Sequence, residues 1–289
     1  MNIINFSTML IFRIFYLIII FCVDAGNFAT IAGEAPRWDY KNQEKWTGVC
    51  QTGSFQSPVN LDASSSIQYR TISPLALRNV GYFHDVVVGN NGHTVTVSLD
   101  CPKSAKPNIS GALLLESYIL DSMHFHWPSE HTINGKYYDL EAHLVFYDQR
   151  HSDLNAALLE PFAISVVGIL FQGTRHRNET AHDTFKAIAD AAKNVARRVG
   201  QSAPVIKGIN LGDLFPNDIQ KFFTYNGSLT TPPCTETVTW FVMRDTPYIL
   251  QDDLARISRI YTEEGEQLRC INRKRQKLNG RAIFAHNFN

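Results

Sequence analysis

The sequence has no excess of charge of either sign: 27 Lys and Arg stand against 27 Asp and Glu. That balance gives no reason to expect nucleic acid or an anionic membrane surface as a partner. Internal repeats, low-complexity tracts and linker-like stretches are also missing between Trp38 and Arg281. Repeat arrays are therefore excluded, and 289 residues leave room for one large domain or two small ones. After Val23 no apolar run is long enough to cross a bilayer, and the mixed tail Ala282 to Asn289 is too short for a lipid-anchor signal. Hydrophobic residues, at 44% of the chain, suffice for a sizeable core.

The one long apolar run is Leu10 to Val23, interrupted by Arg13 and followed by the small residues Asp24-Ala25-Gly26. It has the length of a secretory hydrophobic region, so residues 1–25 read as a signal peptide, with a retained signal anchor as the alternative. The expected product is a secreted, extracellular protein with no membrane anchor after cleavage. Cysteine is scarce: beyond Cys22 there are only Cys50, Cys101, Cys234 and Cys270, an even set that allows three pairings in an oxidising compartment. Sequons at Asn108-Ile109-Ser110 and Asn178-Glu179-Thr180 suit a secreted glycoprotein, whereas Asn226-Gly227-Ser228 abuts a candidate site segment.

Short runs rich in Val, Ile, Tyr, Phe and Thr predict strands over Asp85 to Gly89, Thr94 to Leu99, Ile119 to Trp127, Tyr137 to Tyr147, Phe162 to Phe171 and Thr237 to Met243. Phe185, Ile188, Ala189, Ala192 and Val195 recur at helical spacing within Thr180 to Val199, with Gly200 as a stop. A shorter helix is expected at Asp252 to Tyr261. The fold class is mainly β with peripheral helices: a single domain, residues 36–289, around a large, mostly antiparallel twisted sheet.

Chemistry concentrates in Met123-His124-Phe125-His126-Trp127-Pro128-Ser129-Glu130-His131 and Glu141-Ala142-His143-Leu144-Val145. His124 and His126, two apart on a strand, point the same way. Asn134-Gly135 between the two pieces is a strong signal for a two-residue hairpin turn. That turn would set His126 opposite His143 and His124 opposite Val145, with Pro128 as the place where a bulge could shift the count. Three imidazoles on one spot, with no Cys in the motif to close a fourth position, describe a catalytic zinc site. A lone His-x-His would ordinarily be half-buried polar alternation; the third His and the flanking acids argue against that. Glu141 shares the face of His143 and can accept its second ring N–H. Glu130 can accept a proton from a hydroxyl near the metal; for either acid the ordinary alternative is a solvated strand charge.

Taken together, Gln56-Ser57-Pro58-Val59, Asn90-Asn91-Gly92-His93, His124-Phe125-His126-Trp127, Ser129-Glu130-His131, Glu141-Ala142-His143-Leu144-Val145 and Ser228-Leu229-Thr230-Thr231-Pro232-Pro233-Cys234-Thr235-Glu236 resemble the alpha-class carbonic anhydrases. The resemblance runs from Trp38-Asp39-Tyr40 to Leu278-Asn279-Gly280-Arg281. It implies reversible hydration of carbon dioxide to bicarbonate and a proton, by attack of zinc-bound hydroxide, since water on zinc ionises near neutral pH in that family. His124, His126 and His143 would be the zinc ligands. Thr230 would orient the hydroxide by donating to Glu130, with Thr231 beside it. Val145, Val166, Leu229, Val238 and Trp240 would form the apolar wall for carbon dioxide; by sequence alone each is ordinary core. His93, otherwise a surface turn residue, would be the proton shuttle, with Tyr40 and Asn91 ordering the waters. The resemblance further implies a Cys50–Cys234 disulfide, cis bonds at Ser57-Pro58 and Pro232-Pro233, and inhibition by sulfonamides and anions.

Three departures stand out. Trp127 runs straight into Pro128-Ser129-Glu130, as in bacterial and plant-like members; Ser122 holds the place of a Gln that supports the first ligand; and Phe146 replaces the usual His. Cys101 and Cys270 match no family disulfide and can pair with each other, pair between chains or stay free. The rival readings are a catalytically silent extracellular binding relative and a matrix or mineral-associated protein. Silent relatives usually lack a ligand histidine, and the acidic or Gly-Asn-rich insertion of matrix proteins is absent. Oligomeric state is not legible in the sequence.

Overall fold

The structure, a computed structural model, describes residues 37–70, 73–177 and 182–287. The signal-peptide segment and the Asn178 sequon lie outside the described residues. A 13-stranded sheet carries the fold. Its central strands are β1 (Val86–Asn90), β2 (Val95–Leu99), β3 (Tyr118–His126), β4 (Leu140–Asp148) and β5 (Ile164–Thr174), each antiparallel to the next. After helix α1 (His182–Val195) come β6 (Phe222–Gly227) and β7 (Val238–Met243), then helix α2 (Gln251–Ile257) and β8 (Phe284–His286). β7 inserts parallel to β5 and antiparallel to β6, so the sheet is mixed but mostly antiparallel, as expected. No helix among the described residues is long and apolar enough to cross a membrane.

Period-two patterning explains why the middle strands are buried on both faces. On β4, Leu140, Ala142, Leu144 and Phe146 join one core cluster, while Val145 and Tyr147 join a second on the opposite face. β5 splits the same way, with Val167, Ile169 and Phe171 on the first face and Val166 and Leu170 on the second. Helix α1 buries Phe185, Ile188, Ala189 and Ala192 in the first cluster. Glu141 and His143 therefore point away from the helix, toward the smaller cluster. Phe146, in place of the family's usual His, is fully buried among apolar neighbours of the first cluster.

The predicted register needs a correction. Asn134 and Gly135 do form the turn, with φ of 50° and 78°, and Ile133 and Lys136 exchange both backbone hydrogen bonds. The turn does not set the register of β3 on β4, however: His143 pairs with His124, Glu141 with His126 and Val145 with Ser122. The ladder breaks because Thr132–Ile133 pairs in parallel with Asn60–Leu61, and Ser129 instead bonds Tyr138 in both directions. The slip is two residues, an even number, so every side chain keeps its face and the histidines still converge.

Helix ends also differ. The start expected at Thr180 lies outside the described residues. At the other end α1 stops at Val195 rather than Val199, because the Asn90 amide takes up the carbonyls of Val195 and Ala196, at 3.4 and 3.1 Å. α2 ends at Ile257 rather than Tyr261, whose N–H turns instead to the Ala196 carbonyl at 2.9 Å. Cys50 and Cys234 form a disulfide, and Cys101 and Cys270 are unpaired. The bonds before Pro58 and Pro233 are cis, as is Trp127–Pro128, which the sequence did not suggest.

Candidate functional site

The rings of His124, His126 and His143 meet with centroids 4.6–5.1 Å apart. Each offers one nitrogen to a common point, the three atoms lying within 4.8 Å of one another. Hydrogen bonds decide which nitrogen faces inward. His126 spends Nδ1 on the Ile271 carbonyl at 2.7 Å, and His143 spends Nε2 on Glu141 Oε1 at 2.8 Å. That leaves His126 Nε2 buried with no hydrogen-bond partner. A buried orphan nitrogen is costly unless something accepts its lone pair. Burial holds His124 down to about 3 and lowers His126 and His143 too, so all three imidazoles stay neutral with lone pairs available. The donor set therefore fits a borderline dication such as zinc. A second cluster, His131, Glu141 and His143, lacks this property because its atoms are already bonded to one another.

Glu141 is the hub of the surrounding shell. Its Oε1 accepts from His143 and His131, and its Oε2 accepts from the backbone N–H of Glu130 and His131, all at 2.7–2.8 Å. Burial opposes its ionisation, but His131 and His143 outweigh that and hold the carboxyl well below its ordinary range. The chain continues from His131 Nε2 to Tyr225 Oη at 2.7 Å and on to Ser57 Oγ at 2.9 Å. His131, Tyr225 and Ser57 had no assigned role in the sequence, although Ser129-Glu130-His131 was visible as a motif. Gly168, opposite His143, completes the fit: a Cβ there would stand 3.1 Å from Glu141 Oε1. Glu141→Gln would set an amide N–H₂ against either the two backbone donors or the two imidazole donors. Zinc affinity measured by chelator competition should fall about 10–100-fold; unchanged affinity would show that this shell does not orient His143.

Glu130 is held differently. Burial and the neighbouring Glu141 push its carboxyl well above the ordinary range, while Thr230 and Arg273 act in the opposite direction. Its Oε1 accepts from Arg273 N at 2.7 Å, and its Oε2 is buried without a hydrogen-bond partner. Thr230 thus approaches Glu130 without making the hydrogen bond that the resemblance implies. The loop bearing Thr230 and Thr231 is closed by Cys234 N to Thr231 O at 2.8 Å and Leu229 N to Thr235 O at 3.0 Å, and is tied down by the disulfide.

Val145, Val166, Val238 and Trp240 lie in one buried cluster, with Leu229 packed against it. Trp240 stands edge-on to His143 at 4.8 Å, which brings this apolar wall against the histidines. Tyr40 is buried, edge-on to His126 at 6.4 Å. The Ser122 hydroxyl bonds Asp121 Oδ2 at 2.8 Å and makes no direct bond to His124. Asn91 Oδ1 accepts from the backbone N–H of His93 and Thr94, so its carbonyl shapes the turn.

His93 is half-buried and stacks on Trp38, with centroids 3.8 Å apart and planes 7° from parallel, a contact the sequence did not announce. Burial lowers its pKa, with Asp39 and Glu264 pulling weakly upward. A proton titration of the ring by NMR should therefore give a midpoint below 6.5. Because the unfolded chain then binds the proton more readily, this group destabilises the fold as pH falls below 6.5. A midpoint above that value would contradict the stacked, desolvated ring.

Fold and site together define a sheet protein built around three converging histidines that could hold a metal ion. The profile of the family described as eukaryotic-type carbonic anhydrase matches residues 41–287. The chain is 33% identical over 266 residues to "Carbonic anhydrase 6" of Canis lupus familiaris, covering 85% of this chain and 79% of that one. It is 30% identical over 244 residues to "Carbonic anhydrase 6" of Bos taurus, with 81% and 73% covered. A bacterial relative, "Carbonic anhydrase" of Klebsiella pneumoniae, is 30% identical over 252 residues, 87% of each chain. The chain belongs to the carbonic anhydrase family.

Proposed function

We propose that this protein catalyses the reversible hydration of carbon dioxide to bicarbonate and a proton. The observation that carries the reading is the trio of converging, neutral imidazoles with inward-facing nitrogens, two of them fully buried, beside an apolar wall. His124, His126 and His143 would hold zinc, which supplies Lewis acidity that makes water a nucleophile at neutral pH. The chain's own residues do the rest. Val145, Val166, Leu229, Val238 and Trp240 offer a surface for an apolar substrate that donates no hydrogen bond. Thr230, backed by Glu130, orients the attacking oxygen and selects against anions that cannot donate to it; Thr231 borders the same pocket. Glu141 fixes the tautomer of His143. His93 accepts the released proton and passes it to solvent, with Tyr40 and Asn91 flanking the route.

We also infer a secreted protein. The Leu10 to Val23 run followed by Asp24-Ala25-Gly26 and the Cys50–Cys234 bond support that assignment. Asn108, half-exposed on a strand, and Asn226, exposed near the end of β6, are then the two candidate glycosylation sites among the described residues. Mass spectrometry of the secreted product tests both.

Stopped-flow hydration of carbon dioxide by the zinc-loaded chain, with inhibition by an aromatic sulfonamide, tests the activity. Zinc bound at one equivalent without turnover would favour the silent binding relative. His93→Ala should slow turnover at least about tenfold in weak buffer, with added imidazole restoring the rate. Indifference to buffer would remove His93 from the proton route.

A further inference from the structure

The last turn of α1 and the segment after α2 enclose a cleft of about 740 Å³ on the helical side of the sheet. Five cations line it, Lys193, Arg197, Arg198, Arg256 and Arg259, and no acid does. Arg256 is neutralised by Asp190 and Asp253. Arg197 sits over the Tyr261 ring, 3.6 Å from its centroid. The side chains of Lys193, Arg198 and Arg259 are exposed and meet no carboxylate among the described residues. Four positive groups therefore face one concavity without counter-charge, on a chain whose formal charge is zero.

Scattered surface cations are ordinarily just solvated, each free to swing into water. This group differs because its frame is fixed. Tyr261 N bonds Ala196 O at 2.9 Å, and the Asn90 amide bonds Ala196 O and Tyr261 O at 3.1 and 3.0 Å. The backbone that carries the ring under Arg197 is thereby tied to the end of α1, and Asn194 and Gln267 add neutral side-chain donors to the lining. Guanidinium groups bind oxyanions through paired N–H donors, which rewards this arrangement with phosphate or sulfate. The volume lies in the range of about 300–1,000 Å³ typical of small-molecule sites, well beyond what one inorganic oxyanion fills.

We propose that this cleft is a binding site for a small organic polyanion, a molecule carrying two or more phosphate or sulfate groups. The site shares no residue with the histidine centre and does not depend on the catalytic reading. Calorimetric titration of the full chain at about 0.15 M ionic strength tests it, since weaker screening would flatter any surface charge. The probes are inositol hexakisphosphate, a fully sulfated disaccharide and inorganic phosphate. One or both organic polyanions should bind with one-to-one stoichiometry and at least about tenfold tighter than inorganic phosphate; which one binds more tightly identifies the source of the charge. The variant Lys193→Gln, Arg198→Gln, Arg259→Gln should weaken that binding about tenfold or more. A charge-matched control, Arg78→Gln, Lys207→Gln, Lys277→Gln, changes exposed cations elsewhere and should shift it less than about twofold. Arg198→Gln alone, at an exposed position outside any ion pair, gives a weaker loss in the same direction and guards against misfolding of the triple variant. Equal losses in the two triple variants, or no preference over inorganic phosphate, would overturn the proposal.

Discussion

His143→Ala is expected to strip zinc from the purified protein and to abolish carbon dioxide hydration while leaving the fold in place. The residue joins the two halves of the site: its Nδ1 faces the other imidazoles, and its Nε2 is bonded to Glu141 at 2.8 Å. Alanine removes a ligand outright, so the loss of affinity should exceed the about 10–100-fold typical of an outer partner. Glu141 is not orphaned by the change. It keeps the His131 ring and the two backbone N–H donors, so no buried charge is left bare. Zinc content after gel filtration, hydration rate and circular dichroism together read the outcome. Retained zinc and retained hydration would refute the assignment of His143.

The largest stability effect is expected from Cys50→Ser with Cys234→Ser. The bond links residues 184 apart, and cross-links that close long loops restrict the unfolded chain most. Loss of such a bond typically costs about 2–5 kcal/mol. At about 2–4 °C per kcal/mol for a domain of this size, the melting temperature should fall by roughly 5–20 °C. Activity should suffer as well, because Cys234 is fully buried at the base of the loop that presents Thr230 and Thr231. The measurement is thermal unfolding of wild type and double variant under oxidising conditions. Coincident curves would show that the bond contributes nothing to stability.

What the sequence revealed, and what it hid, follows from the range of the interactions concerned. Strand positions and faces were legible because β4 alternates strictly, and alternation is a local property. The turn at Asn134-Gly135 was legible for the same reason. Its reach was not, because Thr132–Ile133 pairs with Asn60–Leu61, more than sixty residues earlier in the chain. Convergence of the three histidines survived because a slip of two preserves the face. The outer shell was only half legible. Glu141 shares a strand with His143, whereas Tyr225, Ile271 and Arg273 reach the site from distant segments with no local signature, and Ser57 lies in a visible motif that gave no hint of its bond to Tyr225. The premature end of α1 likewise depends on Asn90, a side chain from across the sheet that takes up the last carbonyls.

X-ray absorption at the zinc edge of the loaded, full-length chain tests the central claim most directly. The account predicts one zinc per chain with three imidazole nitrogens at about 2.0–2.1 Å and no further protein ligand, and a drop to two imidazoles or loss of the metal in His143→Ala. A spectrum showing sulfur, a bound carboxylate of the protein or a fourth imidazole would contradict it.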